Sequence, residues 1–150
     1  MRDQFLSSLC DSLEVLLQER KFCHIKGPDE PIEWVGQPRN FWPKADVVVE
    51  LPNMQVIIET DEDSDPCRSI IKYWPYLEEN VGRKITLIEI WKRGSTIGEG
   101  YFKLAQFIGK RFEKTFPQFC YLLVERHGES PQHVAQWVLT QLEKLVNQES

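Results

Sequence analysis

KADVVVELPNMQVIIETDED, residues 44–63, is the stretch whose reading decides the fold. Two runs rich in β-branched residues, ADVVVEL and MQVIIET, flank Pro52-Asn53, the pattern of a β-hairpin with a tight turn. With Pro52-Asn53 at its centre, Leu51 faces Met54, Glu50 faces Gln55 and Val49 faces Val56. Continued along the ladder, this register sets Asp46 opposite Glu59 and Lys44 opposite Asp61. Side chains alternate between the faces of a strand, so Val47, Val49, Leu51, Met54, Val56 and Ile58 form one apolar face. A slip of one residue would scatter that set, which supports the register. Asp46 and Glu59 then share the other face, with Lys44 and Asp61 one step further along it.

Carboxylates set directly opposite one another destabilise a hairpin unless something neutralises them. Asp46, Glu59 and Asp61 at the splayed end offer hard oxygen ligands suited to Mg2+ or Mn2+, which could polarise a phosphoryl oxygen. The plainer alternative is a solvated strand end in which Lys44 pairs with Asp61.

Outward from the hairpin, residues 3–21 read as an amphipathic helix, with Phe5, Leu6, Leu9, Leu13, Leu16 and Leu17 in register and Asp3 as N-cap. Residues 22–43 are rich in Gly and Pro around a short strand candidate, IEWV. Asp65-Pro66 starts a helix that places Ile70, Ile71, Trp74 and Leu77 on one face until Pro75 bends or ends it. KITLIEIW, residues 84–91, is a strand apolar on both faces and therefore central. A helix over 99–115, a buried strand over 119–125 and a helix capped by Ser130-Pro131 complete the chain. Hairpin strands followed by alternating helix and strand predict an α/β fold, a mixed central sheet flanked by helices on both faces.

The 150 residues suit a single domain, 1–150, with a core that is stable without staples. Hydrophobic residues at 41% and charged residues at 27% exclude a disordered chain. No apolar run is long enough to cross a bilayer, and the N-terminal segment lacks a signal-peptide pattern. A soluble, intracellular, cytoplasmic protein without membrane partners is the expectation. Cys10, Cys23, Cys67 and Cys120 include no CxxC pair and read as free thiols. A net charge of −5 argues against indiscriminate nucleic-acid binding while leaving room for a local basic groove.

On these residues the chain resembles the PD-(D/E)XK, or restriction-endonuclease-like, nuclease superfamily. That core runs helix, three-stranded meander, helix, strand, as the elements of residues 3–125 do here. Asp46 in PKADVVVEL matches the family's first acid, with Pro43 upstream, and Glu59 in VIIETDED matches the second. The resemblance implies phosphodiester hydrolysis, with DNA as the substrate and Mg2+ or Mn2+ as cofactor. Asp46 and Glu59 are then metal ligands, joined by Asp61 as a third. Where the pattern calls for lysine the chain has Asp61, so another cation must take that role: Lys44 first, then Arg68 or Lys72 on the next helix. Many nucleases of this fold pair to cut two strands, so a homodimer is compatible with the resemblance. Should no cation reach the acids, the alternative is a catalytically inactive module of the same fold that binds nucleic acid or a protein partner.

Other residues carry weaker signals. Glu14 reads as a surface acid, and Glu50 lies too near the turn to share an ion with Asp46. Glu89, amid ITLIEIW, is either a supporting group behind the ligands or the mark of an exposed strand end. GSTIGEG, residues 94–100, reads as a connector rather than a phosphate loop. Lys92-Arg93, Lys103, Lys110, Arg111 and Lys114 form a modest basic stripe, and Trp34 and Trp42 could stack bases or cover the sheet edge.

Overall fold

A computed structural model describes residues 4–18, 20, 24–31, 44–62, 65–92 and 98–149. The expected strand IEWV, Asp3, Cys23, Trp34, Trp42, Arg93 and most of GSTIGEG lie outside them.

The chain begins with helix α1 (Gln4–Leu17), which buries Leu6, Leu9, Cys10, Leu13 and Leu17 along one stripe and leaves Glu14 exposed. Short strands β1 (His24–Lys26), β2 (Glu30–Pro31) and β3 (Lys44–Ala45) lead into the hairpin of β4 (Val47–Leu51) and β5 (Met54–Glu62). Helices α2 (Cys67–Ile71) and α3 (Trp74–Glu79) connect to β6 (Lys84–Lys92). Helix α4 (Glu99–Thr115), strand β7 (Phe119–Glu125) and helix α5 (Pro131–Glu149) follow.

Among the described residues, five strands form one mixed sheet in the order β1-β4-β5-β6-β7. The pairs β1–β4 and β4–β5 are antiparallel, whereas β5–β6 and β6–β7 are parallel. The hairpin register is the expected one, with Leu51 opposite Met54 and Val47 opposite Ile58. Strand β6 has a neighbour on each side and is buried from Ile85 to Trp91, as its two apolar faces require.

Each sheet face carries its own core. Val47, Val49, Val56, Ile58, Ile88 and Ile90 pack with α1 and α5. Ala45, Val48, Ile57, Ile85 and Leu87 pack with the α2–α3 segment and α4. Burial on this scale, at roughly 25 cal/mol per Å² of apolar surface, is the main favourable term holding the layers together. Gly109 lets α4 approach the sheet: a Cβ there would lie 1.9 Å from the Tyr121 ring.

The segment after Pro66 differs from the expected single helical face. Asp65 caps as expected, its Oδ1 accepting from the Cys67 N–H at 2.9 Å. The helix then breaks at Lys72-Tyr73, and Pro75 sits in the first turn of α3, where its missing N–H is harmless. The buried positions Ile70, Tyr73 and Leu77 keep helical spacing across the joint, so the inward face is displaced from the expected one and Ile71 and Trp74 are each 48% exposed. Cys10, Cys67 and Cys120 are free thiols, and burial pushes the Cys67 thiol up to about 12. No helix among the described residues is long and apolar enough to cross a membrane.

Candidate functional site

The acids gather at the open end of the β4–β5 hairpin, on the face covered by α2 and α3. Regular pairing stops at Val47–Ile58, and Asp46 lies in a bend just outside β4. The bend departs from the strict opposition expected of Asp46 and Glu59. Asp46 Oδ2 reaches past Glu59 to accept from the Thr60 N–H at 2.7 Å and the Thr60 hydroxyl at 2.9 Å. A close backbone approach holds this bend. Gly27, at φ +142°, leaves no room for a Cβ, which would lie 2.7 Å from the Asp46 carbonyl oxygen. That carbonyl accepts from Asp29 N–H at 3.1 Å.

Glu59 is 3% exposed, with Lys72 Nζ 2.5 Å from its Oε1 and the Tyr73 hydroxyl donating to the same oxygen. Lys72 and Tyr73 form the joint between α2 and α3 with αR backbone angles, and their long side chains meet at one carboxylate oxygen. Asp61 Oδ2 accepts from Ser69 Oγ at 2.6 Å, one turn before Lys72. Glu89 pairs with Glu59 in the parallel β5–β6 register and is fully buried. Its Oε2 accepts from the Tyr121 hydroxyl at 2.5 Å, while among the described residues no donor reaches Oε1.

Burial dominates the electrostatics. Desolvation lifts the Asp46 carboxyl above its ordinary range against the pull of its Thr60 hydrogen bonds and of Lys72. Desolvation carries Glu59 to about 8, opposed by Lys72 and reinforced by Asp46. It carries Glu89 to about 10, helped by Asp61, which can accept a hydrogen bond from the protonated acid. Among the described residues Lys72 is the cation that pairs with this cluster, and burial raises the carboxyls of Asp46, Glu59 and Glu89 above their ordinary range.

The expected cations divide sharply. Lys44, the first choice, belongs to β3, pairs with Pro31 of β2 and keeps its side chain exposed; what it contributes is its carbonyl, which accepts from Lys72 Nζ at 2.9 Å. Arg68 is exposed on α2 and joins no ion pair with the acids among the described residues. Lys72 alone of the three reaches the cluster. Glu89 is enclosed beside Asp61, which removes the exposed-strand-end reading. Tyr73, Ser69, Thr60 and Tyr121 carry no motif signal; their roles come from packing, and only the polar tip of Tyr73 beside Lys72 in IIKYW hinted at one.

Among the described residues, no three His, Cys, Asp or Glu side chains stand arranged to hold a metal ion. Magnesium is commonly held by one or two carboxylates, with water and substrate phosphate completing the octahedron. A two-acid set such as Asp46 and Glu59 fits that pattern. Comparison with protein-family models, curated proteins and solved structures returned no significant match to this chain.

Proposed function

We propose that this chain is a divalent-cation-dependent nuclease acting on DNA, built on a restriction-endonuclease-like core. The observation that carries the reading is the Lys72 ammonium 2.5 Å from Glu59. It brings a cation to the acids from a position outside the strand motif, where Asp61 stands in place of lysine. The antiparallel run β1–β4–β5, its helical connection and the parallel β6 are compatible with that core.

Asp46 and Glu59 would hold the ion, with Asp61 beside them. When bound, the ion polarises the scissile phosphoryl group and supplies the positive charge that burial withholds from the acids. Lys72 is half-buried and can turn one N–H toward a water or a non-bridging phosphate oxygen while the others hold Glu59 and the Lys44 carbonyl. Tyr73 fixes the Glu59 rotamer from below. A second reading, a non-catalytic module that binds nucleic acid or a protein partner, draws support from Asp46 and Glu59 already having protein donors.

Nicking of supercoiled plasmid in MnCl2 or MgCl2 separates the two. The nuclease reading expects cation-dependent nicking that Glu59→Gln and Lys72→Met each lower by about a hundredfold to a thousandfold, the scale of losing an electrostatic catalytic group. Glu59→Gln should also abolish any cation-specific rise in melting temperature. Absence of nicking by the native chain, or persistence of nicking in both variants, overturns the nuclease reading.

A further inference from the structure

Helix α4 carries a second feature that the acid cluster does not use. Its outward side presents Tyr101, Leu104 and Phe107, which are 43%, 47% and 57% exposed. Interleaved with them are the exposed cations Lys103, Arg111 and Lys114. Arg111 lies over the Phe107 ring at 5.3 Å, holding that aromatic face outside the core. Among the described residues no carboxylate forms an ion pair with Lys103, Arg111 or Lys114. Counting Lys110, Glu99 and Glu113, α4 has four cations and two acids, whereas the rest of the chain has 14 Lys and Arg against 21 Asp and Glu. The helix is thus a positive strip on a negative protein.

The strip starts near the acid cluster. The Cys67 thiol, at the head of α2, donates to the Tyr101 carbonyl at 3.9 Å, and the Phe102 ring lies 5.6 Å from that of Trp91, the partner of Asp61 in the β5–β6 register. From Lys103 the side chains follow one side of the helix to Lys114, a run of about 16 Å at roughly 1.5 Å per residue.

We infer that this side of α4 is a docking surface for single-stranded DNA leading away from the acid cluster, a reading that rests on the proposed nuclease function. Charge complementarity selects a polyanion. Exposed aromatic rings among cations are the means by which proteins grip unpaired bases and their phosphates together. A duplex keeps its base faces stacked internally and offers nothing to Phe107, so the surface discriminates between strand states. Leu104 and Tyr101 add apolar contact for the sugar and base edges.

The test is fluorescence anisotropy on the full chain in EDTA, which removes cation-dependent cleavage. The probes are a labelled oligothymidylate of about twenty nucleotides and a duplex of equal length. Oligothymidylate should bind more tightly than the duplex. Lys103→Glu with Lys114→Glu should weaken it about tenfold and reduce the slope of log affinity against log salt by about 1.4, two contacts at roughly 0.7 each. Phe107→Ala should weaken oligothymidylate about fivefold and leave duplex binding unchanged. Lys144→Glu, at an exposed α5 position on the opposite layer, should match the native chain. No oligothymidylate binding, equal preference for duplex, or equal losses in Lys144→Glu overturns the inference. So does a sedimentation result in which Phe107→Ala converts a dimer to monomer with oligothymidylate affinity intact, since the face then belongs to a second copy. A native chain that binds oligothymidylate through α4 yet nicks nothing in Mn2+ refutes the nuclease reading and leaves the docking surface standing.

Discussion

The sheet face beneath α2, α3 and α4 carries polar side chains at both ends of the β4–β5 hairpin, and the two ends resolve them differently. At the turn end, the Glu50 carboxylate accepts from Gln55 Nε2 at 3.0 Å and pairs with Arg83, while the Tyr76 hydroxyl donates to Gln55 Oε1 at 2.6 Å. One acid meets one guanidinium, and the amide between them uses both its ends. At the open end, among the described residues, four carboxyls gather round one ammonium, Lys72, and the fully buried Glu89 leans on Tyr121 and on another acid, Asp61. Both ends come from the same alternation of strand residues, so alternation does not distinguish them. Counting charges against donors does: a closed network is structural, whereas an acid surplus in a buried place is retained only if protons or an external cation relieve it.

Substitutions can break this contrast. The largest effect is expected from Gly109→Ala, whose methyl would enter the Tyr121 ring and push its hydroxyl off Glu89. Tyr121 is nearly buried and cannot yield freely, so the change should cost about 3 kcal/mol, read as a lowered urea midpoint at unchanged slope. A midpoint equal to that of the native chain would show that Tyr121 does not anchor the open end.

Lys72→Met comes next. It leaves Glu59 buried with Tyr73 alone, and at pH 9 the loss should be about 2 kcal/mol, below the cost of breaking a fully buried pair because Lys72 is partly solvated. Glu59→Gln added to Lys72→Met should recover most of it. The matching change at the turn end, Arg83→Met, should cost less than about 1 kcal/mol, because that pair is open to water. Equal losses at the two ends in chemical denaturation would erase the distinction.

A separate test, read within one chain rather than between variants, is a slope with pH. Glu59 is held near 8 and Glu89 near 10, against an ordinary 4.5, so the folded chain binds protons that the unfolded chain releases above about 4.5. A raised carboxyl pKa means stability is greatest at the acid end of that window. It falls as pH rises toward 8 through Glu59, and further toward 10 through Glu89, by at most about 1.4 kcal/mol per pH unit for each group. Melting temperature should therefore decline from pH 5 to pH 9 more steeply in the native chain than in Glu89→Gln. Parallel declines would mean that Glu89 is not protonated in the folded state.

Much of the architecture was legible in the residues. The apolar set Val47 to Ile58 permits only one register, and the two-faced apolar run of 84–91 demands a central strand; both are observed. The caps at Asp65 and Ser130 were equally readable, since each places an oxygen where free amides need one. Lys44 shows where reading failed. Extending the ladder to Asp61 assumed continuous pairing, but the chain bends at Asp46 and Lys44 pairs with β2 instead. The phase of Ile71 and Trp74 failed for a different reason: Tyr73, whose hydroxyl finds Glu59, takes the buried position between Ile70 and Leu77.

By itself, the sequence determined a mixed α/β chain and put Asp46, Glu59 and Asp61 at the open end of a hairpin, because strand alternation and turn position are local properties. Tertiary structure decided which cation meets them and which acids join them. The approach of Lys72 and Tyr73 to Glu59, the parallel register that sets Glu89 beside it, and the burial that raises both carboxyls arise only when distant segments pack. Those contacts depend on the relative placement of α2, β5, β6 and β7, which no short-range pattern encodes.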